Sequence, residues 1–193
     1  MKVGVLSIQG DVSEHYFMVE NIIGKGNAVL VKRESDLELV NALVIPGGES
    51  TTISNLMVQS GLFDKVKKLG GEGFPIFGTC AGLILLAKEG DEQVSRTKTK
   101  LLGLMDMRIE RNAFGRQRES FEVNIKIEGI HSKEFPCVFI RSPAITKVYG
   151  KCKSLGKFGG YVIAAQQDNL LATAFHPELT ENPKMHEYFI SLI

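Results

Sequence analysis

Cys80 stands between two glycines at equal spacing, in the segment Gly78-Thr79-Cys80-Ala81-Gly82. The tract before it, Phe74-Pro75-Ile76-Phe77, reads as a short strand, and Gly82 to Lys88 reads as a helix. A cysteine on a sharp strand-to-helix turn, with glycine at minus two and plus two, has the spacing of a nucleophile elbow. Such a turn strains the nucleophile's backbone, and side chains at the two flanking positions would strike the neighbouring strand and helix. The sulfur is lifted above the carboxyl edge of the sheet, where open α/β sheets bind ligands. The start of the helix favours the thiolate, the form that attacks. The Ala81 N–H then faces any oxyanion formed beside the sulfur. This is the equipment of acyl transfer through a thioester. A buried structural cysteine at a strand end is the alternative reading.

Acyl transfer also needs a base, which must come from elsewhere in the chain. The histidines are His15, His131, His176 and His186. His176 lies in Thr173-Ala174-Phe175-His176-Pro177-Glu178, directly after an apolar strand. Pro177 biases His176 toward an extended conformation. Residues two apart in an extended chain point to one side, so His176 and Glu178 can share a face. Glu178 can then orient the imidazole and stabilise its charged form. His15 and His186 fall in helical stretches and are expected on the surface, while His131 sits in a loop without an orienting partner.

Two further segments fit a carbonyl substrate. Pro46-Gly47-Gly48-Glu49-Ser50 follows an apolar run, and its paired glycines let the backbone approach a ligand and turn an N–H toward it. Gly48 is thus a candidate second oxyanion donor beside Ala81, with an ordinary strand-to-helix turn as the alternative. Neither GxGxxG nor GxxxxGK[ST] is present, which argues against a phosphate loop. The stretch Arg111-Asn112-Ala113-Phe114-Gly115-Arg116-Gln117-Arg118-Glu119 is rich in cations. Most such runs are solvated faces, but an amino-acid substrate carries a carboxylate that calls for an arginine fork. Arg111 and Arg141, each ending an expected strand, are the candidates.

These groups need a scaffold. Residues 2–8, Ala28–Val31, Ala42–Ile45 and Phe74–Phe77 read as strands, with a helix from Val12 to Ile23 and another carrying Ile53, Leu56, Met57 and Leu62, capped by Ser50. This alternation argues for a parallel sheet covered on both faces. Leu104–Arg111, Phe121–Ile127, Val138–Arg141, Tyr161–Gln166 and Leu170–Ala174 are closely spaced strands that extend the sheet or pair antiparallel. Gly90–Lys100 reads as a surface loop, and a last helix starts at Asn182-Pro183. The expected fold class is α/β, a flavodoxin-like three-layer sandwich with a mostly parallel central sheet and antiparallel additions in the second half. With 193 residues and 44% hydrophobic content, residues 1–193 fit one domain.

A net charge of +1 points to no nucleic-acid partner. No apolar run approaches the roughly 20 residues that span a membrane. The N-terminal apolar run is too short for a signal peptide. Three cysteines without a CxxC pair suit neither a disulfide scaffold nor a zinc site. A cytoplasmic protein with reduced thiols, no metal and no cofactor is expected.

Taken together, the elbow and His176-Pro177-Glu178 resemble class I (triad) glutamine amidotransferases. Gln9-Gly10-Asp11 with Glu14-His15, Pro46 to Thr52, and Glu110 to Gln117 with Glu119 to Glu122 narrow the resemblance to the glutaminase subunits of pyridoxal 5′-phosphate synthases. The resemblance implies a Cys80, His176 and Glu178 triad and an L-glutamine site of Gly47, Gly48, Glu49, Arg111, Ile140 and Arg141. It also implies a partner: a synthase subunit, in a large ring complex, that combines the ammonia with a pentose phosphate and a triose phosphate. The competing readings are an amidotransferase subunit serving another acceptor and a non-catalytic flavodoxin-like binding module. The resemblance assigns no role to Gln9, Gly10 and Asp11. The tract Val148–Gly160 looks short and glycine-rich for the family, which leaves its strand layout open.

Overall fold

The first half of the chain alternates as its apolar runs require. In the computed structural model, which describes residues 1–114 and 120–193, strands β1 (Val3–Leu6), β2 (Ala28–Val31), β3 (Ala42–Ile45) and β4 (Ile76–Thr79) are separated by α1 (Val12–Ile23), α2 (Ser50–Gln59) and α3 (Leu62–Gly71), and α4 (Ala81–Leu86) follows β4. Every residue of β1, β3 and β4 is buried, because helices cover both faces of a parallel sheet. The parallel order β2-β1-β3-β4 is that of a flavodoxin-like sheet.

The second half completes the sheet and adds a small ladder. Its elements are β5 (Ala87–Glu89), α5 (Glu92–Arg96), β6 (Met105–Glu110), β7 (Phe121–Ile125), β8 (Phe135–Phe139), β9 (Ala144–Val148), β10 (Lys153–Phe158), β11 (Tyr161–Gln167), β12 (Leu170–Thr173) and α6 (Lys184–Ile190). β12 lies parallel to β4, so the strand leading to His176 runs beside the strand leading to Cys80. Beyond it β11, β9 and β6 pair antiparallel. The expected α/β class, with antiparallel additions after a parallel start, holds. β7 and β8 form a separate pair, whose Phe121 and Phe139 pack ring to ring with each other and with Phe114 and Phe158.

Several boundaries differ from the sequence reading. The helix begun near residue 50 is two helices, because Gly61 turns left-handed at φ 78° between α2 and α3. Its cap is Glu49, not Ser50: the Glu49 carboxylate accepts from the Thr51 and Thr52 N–H groups. The helix after Cys80 stops at Leu86 and continues as β5. The Gly90–Lys100 tract holds α5, capped by Asp91 and anchored by buried Val94. The tract at Val148–Gly160 is not deficient, since β10 within it pairs with β11 through a bulged register. Among the described residues no helix is long and apolar enough to cross a membrane.

Candidate active site

Cys80 has φ 48° and ψ −98°, a backbone conformation costly for any residue with a Cβ. It is held there from both sides: its N–H donates to the Thr173 carbonyl at 2.8 Å, and its carbonyl accepts from the Ile84 N–H at 3.3 Å. Both flanking glycines are sterically required. A Cβ on Gly78 would lie 2.5 Å from the Gly82 carbonyl carbon, and a Cβ on Gly82 would run into the Ile45 carbonyl oxygen of β3. Backbone on backbone cannot give way as a side chain can. Gly82→Ala is therefore expected to cost about 3 kcal/mol, the upper end of overpacking penalties. Urea denaturation checks this, and a loss below roughly 0.5 kcal/mol, the range of neutral substitutions, would refute it.

His176 follows β12, buried, with its N–H donating to the Val138 carbonyl of β8 at 2.8 Å. Its Nδ1 lies 2.7 Å from Glu178 Oε1. An extended chain would bring these two side by side on one face. Instead Pro177–Leu179 is a 3-10 turn, and the turn folds the Glu178 carboxylate back onto the ring. Asp11 Oδ2 also approaches Nδ1, at 3.4 Å. Burial opposes a charged imidazole, but hydrogen bonds to Asp11, Cys80 and Glu178 outweigh it and raise the His176 pKa to about 12. Burial likewise raises the Glu178 carboxyl, against the pull of His176. The hydrogen bond to His176 lowers Asp11. Asp11, His176 and Glu178 offer three possible metal-ligand atoms within 4.8 Å of one another. At 2.7 Å, though, the His176–Glu178 contact is already a complete hydrogen bond.

The unassigned Gln9-Gly10-Asp11 segment interlocks with the glycine pair. The Asp11 N–H donates to the Gly47 carbonyl at 3.1 Å, and the Glu49 N–H donates to Gln9 Oε1 at 2.9 Å. A Cβ on Gly10 would strike the Gly47 carbonyl. One on Gly47 would strike the His176 ring and stand 2.9 Å from Asp11 Oδ2. Backbone thus presses against backbone and against the imidazole, which explains glycine at positions 10 and 47. With its carbonyl committed to Asp11, the Gly47–Gly48 peptide turns the Gly48 N–H the opposite way. That N–H meets no acceptor among the described residues.

A cavity of about 370 Å³ opens over the thiol, lined by Cys80, His176, Gly48, Glu49, Arg111, Ile140 and Arg141 among others. The structure so gathers most of the expected substrate residues. Gly47 lies against the His176 ring, and both it and Ala81 are buried and outside the cavity lining. The Arg111 guanidinium already donates to Glu49 Oε1 at 3.0 Å and to Thr97 Oγ1 at 3.0 Å. Burial opposes it, yet hydrogen bonds from Thr52 and Thr51, with the charge of Arg111, lower the Glu49 carboxyl to about 2. Arg141 is exposed and takes φ 45° at the turn after β8. Gly115 to Glu119 of the cation-rich stretch lie outside the described residues.

His15 and His186 are not surface groups: both are fully buried. Their ring nitrogens meet at 2.8 Å, His15 Nδ1 against His186 Nε2. Helical periodicity alone could not reveal this, since each is polar and its partner lies at the other end of the chain. Burial lowers the His15 pKa well below 6.5, helped by the charges of His186 and His176. Burial alone lowers His186 to about 3. Below pH 6.5 the unfolded chain takes up protons at these residues that the folded chain refuses, so stability falls as pH drops from 6.5 toward 3. One such group contributes a slope of about 1.4 kcal/mol per pH unit. His186→Gln is expected to flatten the slope by that amount between roughly pH 4.5 and 6. Urea melts across that range measure it, and an unchanged slope would refute neutral burial.

The model of the SNO glutamine amidotransferase family matches residues 5–193. The chain is 47% identical to a pyridoxal 5′-phosphate synthase subunit PdxT of Archaeoglobus fulgidus, over 100% of this chain and 98% of that one. It is 48% identical to the protein of the same name in Methanopyrus kandleri, over the whole of both chains. A solved glutamine amidotransferase superposes with a TM-score of 0.90 at 42% identity, covering 100% of this chain and 98% of its own. Another, from Thermotoga maritima, shares the fold at 15% identity and a TM-score of 0.64, over 99% of this chain and 82% of its own.

Proposed function

The chain belongs to the SNO glutamine amidotransferase family, and from that premise we propose that it hydrolyses L-glutamine to L-glutamate and ammonia and passes the ammonia to a pyridoxal 5′-phosphate synthase subunit. The observation that carries the reading is that His176, held by Glu178 at 2.7 Å, opens onto the same cavity as Cys80. Residues 1–193 act as one amidotransferase domain. Three free, buried cysteines suit a reducing cytoplasm.

In the first step the Cys80 thiolate attacks the side-chain amide carbon of glutamine. The carbonyl oxygen becomes an oxyanion, which accepts hydrogen bonds from the Ala81 and Gly48 N–H groups. Each such donor is worth about 10²–10³ in rate. The His176 imidazolium is a counter-charge for the thiolate and then gives its proton to the departing nitrogen, so ammonia leaves and a thioester remains. Neutral His176 next takes a proton from water, whose oxygen attacks the thioester, and glutamate and the thiol are released. Glu178 keeps Nδ1–H directed at itself and leaves Nε2 for the reaction. Arg111 and Arg141 supply cations for the substrate carboxylate, Glu49 faces its ammonium group, and Ile140 covers the aliphatic stem.

A glutaminase without its acceptor enzyme would waste glutamine, so the synthase subunit, in a ring complex with this chain, is expected to raise the rate. Glutamate release is to be measured with that partner and without it. A higher rate with it supports the proposal; no glutamate in either state sinks it.

A further inference from the structure

Behind the His176–Glu178 pair lies a chain of buried polar atoms that the mechanism leaves unused. Glu178 Oε2 is inaccessible and accepts no aligned hydrogen bond among the described residues. Its polar neighbour is His15 Nε2, 3.3 Å away. The same Nε2 lies 3.0 Å from the Thr79 hydroxyl, and Thr79 is the residue before Cys80. His15 Nδ1 meets His186 Nε2 at 2.8 Å, while His186 Nδ1 has no partner among the described residues. Phe77 stands edge-on to His15 at 6.3 Å and to His186 at 5.5 Å, which closes the pocket with apolar surface.

Two neutral proton arrangements fit these contacts, and they differ in what faces the carboxylate. Suppose His15 carries its proton on Nδ1 and donates to His186. Its Nε2 lone pair then faces a carboxylate oxygen, and His186 must bury an orphan Nδ1–H, which is costly. Suppose instead that His15 carries the proton on Nε2. That N–H is shared between Glu178 Oε2 and Thr79 Oγ1, Nδ1 accepts from His186 Nε2–H, and a lone pair on His186 Nδ1 and the Thr79 hydroxyl proton are unmatched. Each arrangement leaves one buried donor without an acceptor, His186 Nδ1–H in the first and the Thr79 hydroxyl in the second, but only the second sets a donor rather than a lone pair against the buried carboxylate oxygen.

We propose that His15 is a positioning residue: its Nε2–H, fixed by His186, holds the far oxygen of Glu178 and ties that carboxylate to Thr79 on the strand that presents Cys80. The proposal rests on the glutaminase reading. It closes a ring of contacts from nucleophile to base to orienting carboxylate and back to the nucleophile's own strand. A two-oxygen grip fixes the carboxylate plane, and thereby the imidazole, where a one-oxygen contact leaves it free to rotate. α1 and α6, which carry the two histidines, so take part in the site although neither residue can touch substrate.

The test compares glutamate release, with the synthase subunit present, for the wild type, His15→Leu and His15→Gln. A glutamine side chain can place an amide N–H where Nε2 stands, and leucine cannot. His15→Leu is expected to lower kcat about 10- to 100-fold, as orienting partners of histidine do elsewhere, with KM for glutamine unchanged. His15→Gln is expected to recover most of the lost kcat. Nitrogen NMR of the intact wild-type chain is expected to give the Nε2–H tautomer at His15, a readout that stands even where the leucine variant does not fold. Wild-type kcat in His15→Leu, no recovery in His15→Gln, or an Nδ1–H tautomer overturns the proposal. If the wild type itself releases no glutamate, the glutaminase reading fails, and the tautomer still judges the contact to Glu178.

Discussion

Replacing Cys80 with alanine is expected to abolish glutamate release even when the synthase subunit is present, with a loss of roughly 10⁴-fold or more, as when other hydrolases lose their nucleophile. The residual machinery, the two oxyanion donors and a histidine that activates water, has no covalent route to the products. The fold should survive. Cys80 is 7% exposed, alanine fills less of the same space, and the left-handed backbone at φ 48° is as strained for alanine as for cysteine. An unchanged urea midpoint with lost activity therefore separates chemistry from folding. The other thiols cannot substitute. Burial, with the charge of Glu122, pushes Cys137 up to about 12, and burial with Asp106 pushes Cys152 up to about 11. A glutamine-like chloroketone should accordingly label Cys80 alone. Glutamate release at a wild-type rate from Cys80→Ala would end the assignment.

The features that proved legible in the sequence were those fixed locally. The apolar runs Ala28–Val31 and Ala42–Ile45 became β2 and β3 with unchanged bounds, and the helix Val12–Ile23 did the same. Gly78 and Gly82 were readable because a turn that exposes a nucleophile leaves no room for a Cβ at either position, and the carbonyl of Ile45 enforces that at Gly82. Contacts made by distant chain segments were not legible. Glu49 looked like a substrate residue, but its carboxylate also caps α2 and holds Arg111. β9 and β10 carry no apolar run, because their exposed Thr146, Lys147, Lys153 and Lys157 interrupt it, and only the pairing with β6 and β11 defines them. His15 and His186 had no local mark at all, since a buried imidazole is tolerable only with a partner, and that partner is 171 residues away. Asp11 and Gln9 stood out as a motif whose purpose, gripping the Gly47–Gly48 turn, needs the fold to be seen.

Replacing His176 with asparagine is expected to cost about as much activity as losing the nucleophile, roughly 10⁴- to 10⁶-fold, because the two act as a unit. The side chain of asparagine can occupy part of the ring's volume but can neither carry a proton to ammonia nor take one from water. It also removes the counter-charge beside the sulfur, so labelling of Cys80 by the chloroketone should slow in the same variant. That shared effect distinguishes a base that activates the thiol from a histidine that merely packs against it. Stability should fall as well. Asp11 at 3.4 Å and Glu178 at 2.7 Å from Nδ1 lose their cation, and the buried Glu178 carboxyl, already raised by its burial, takes up a proton instead. The sign of the pH dependence follows from the raised His176. Its stabilising proton is bound in both states below the unfolded value of 6.5 and is held only in the folded chain above it. The advantage of the wild type over His176→Asn is thus full below pH 6.5 and shrinks as pH rises toward the folded value of about 12. Urea melts of the two proteins at pH 6 and pH 9 read it directly. A gap that widens with pH, or Cys80 labelling that is as fast without the imidazole, would show that His176 is not the charged partner of the thiol.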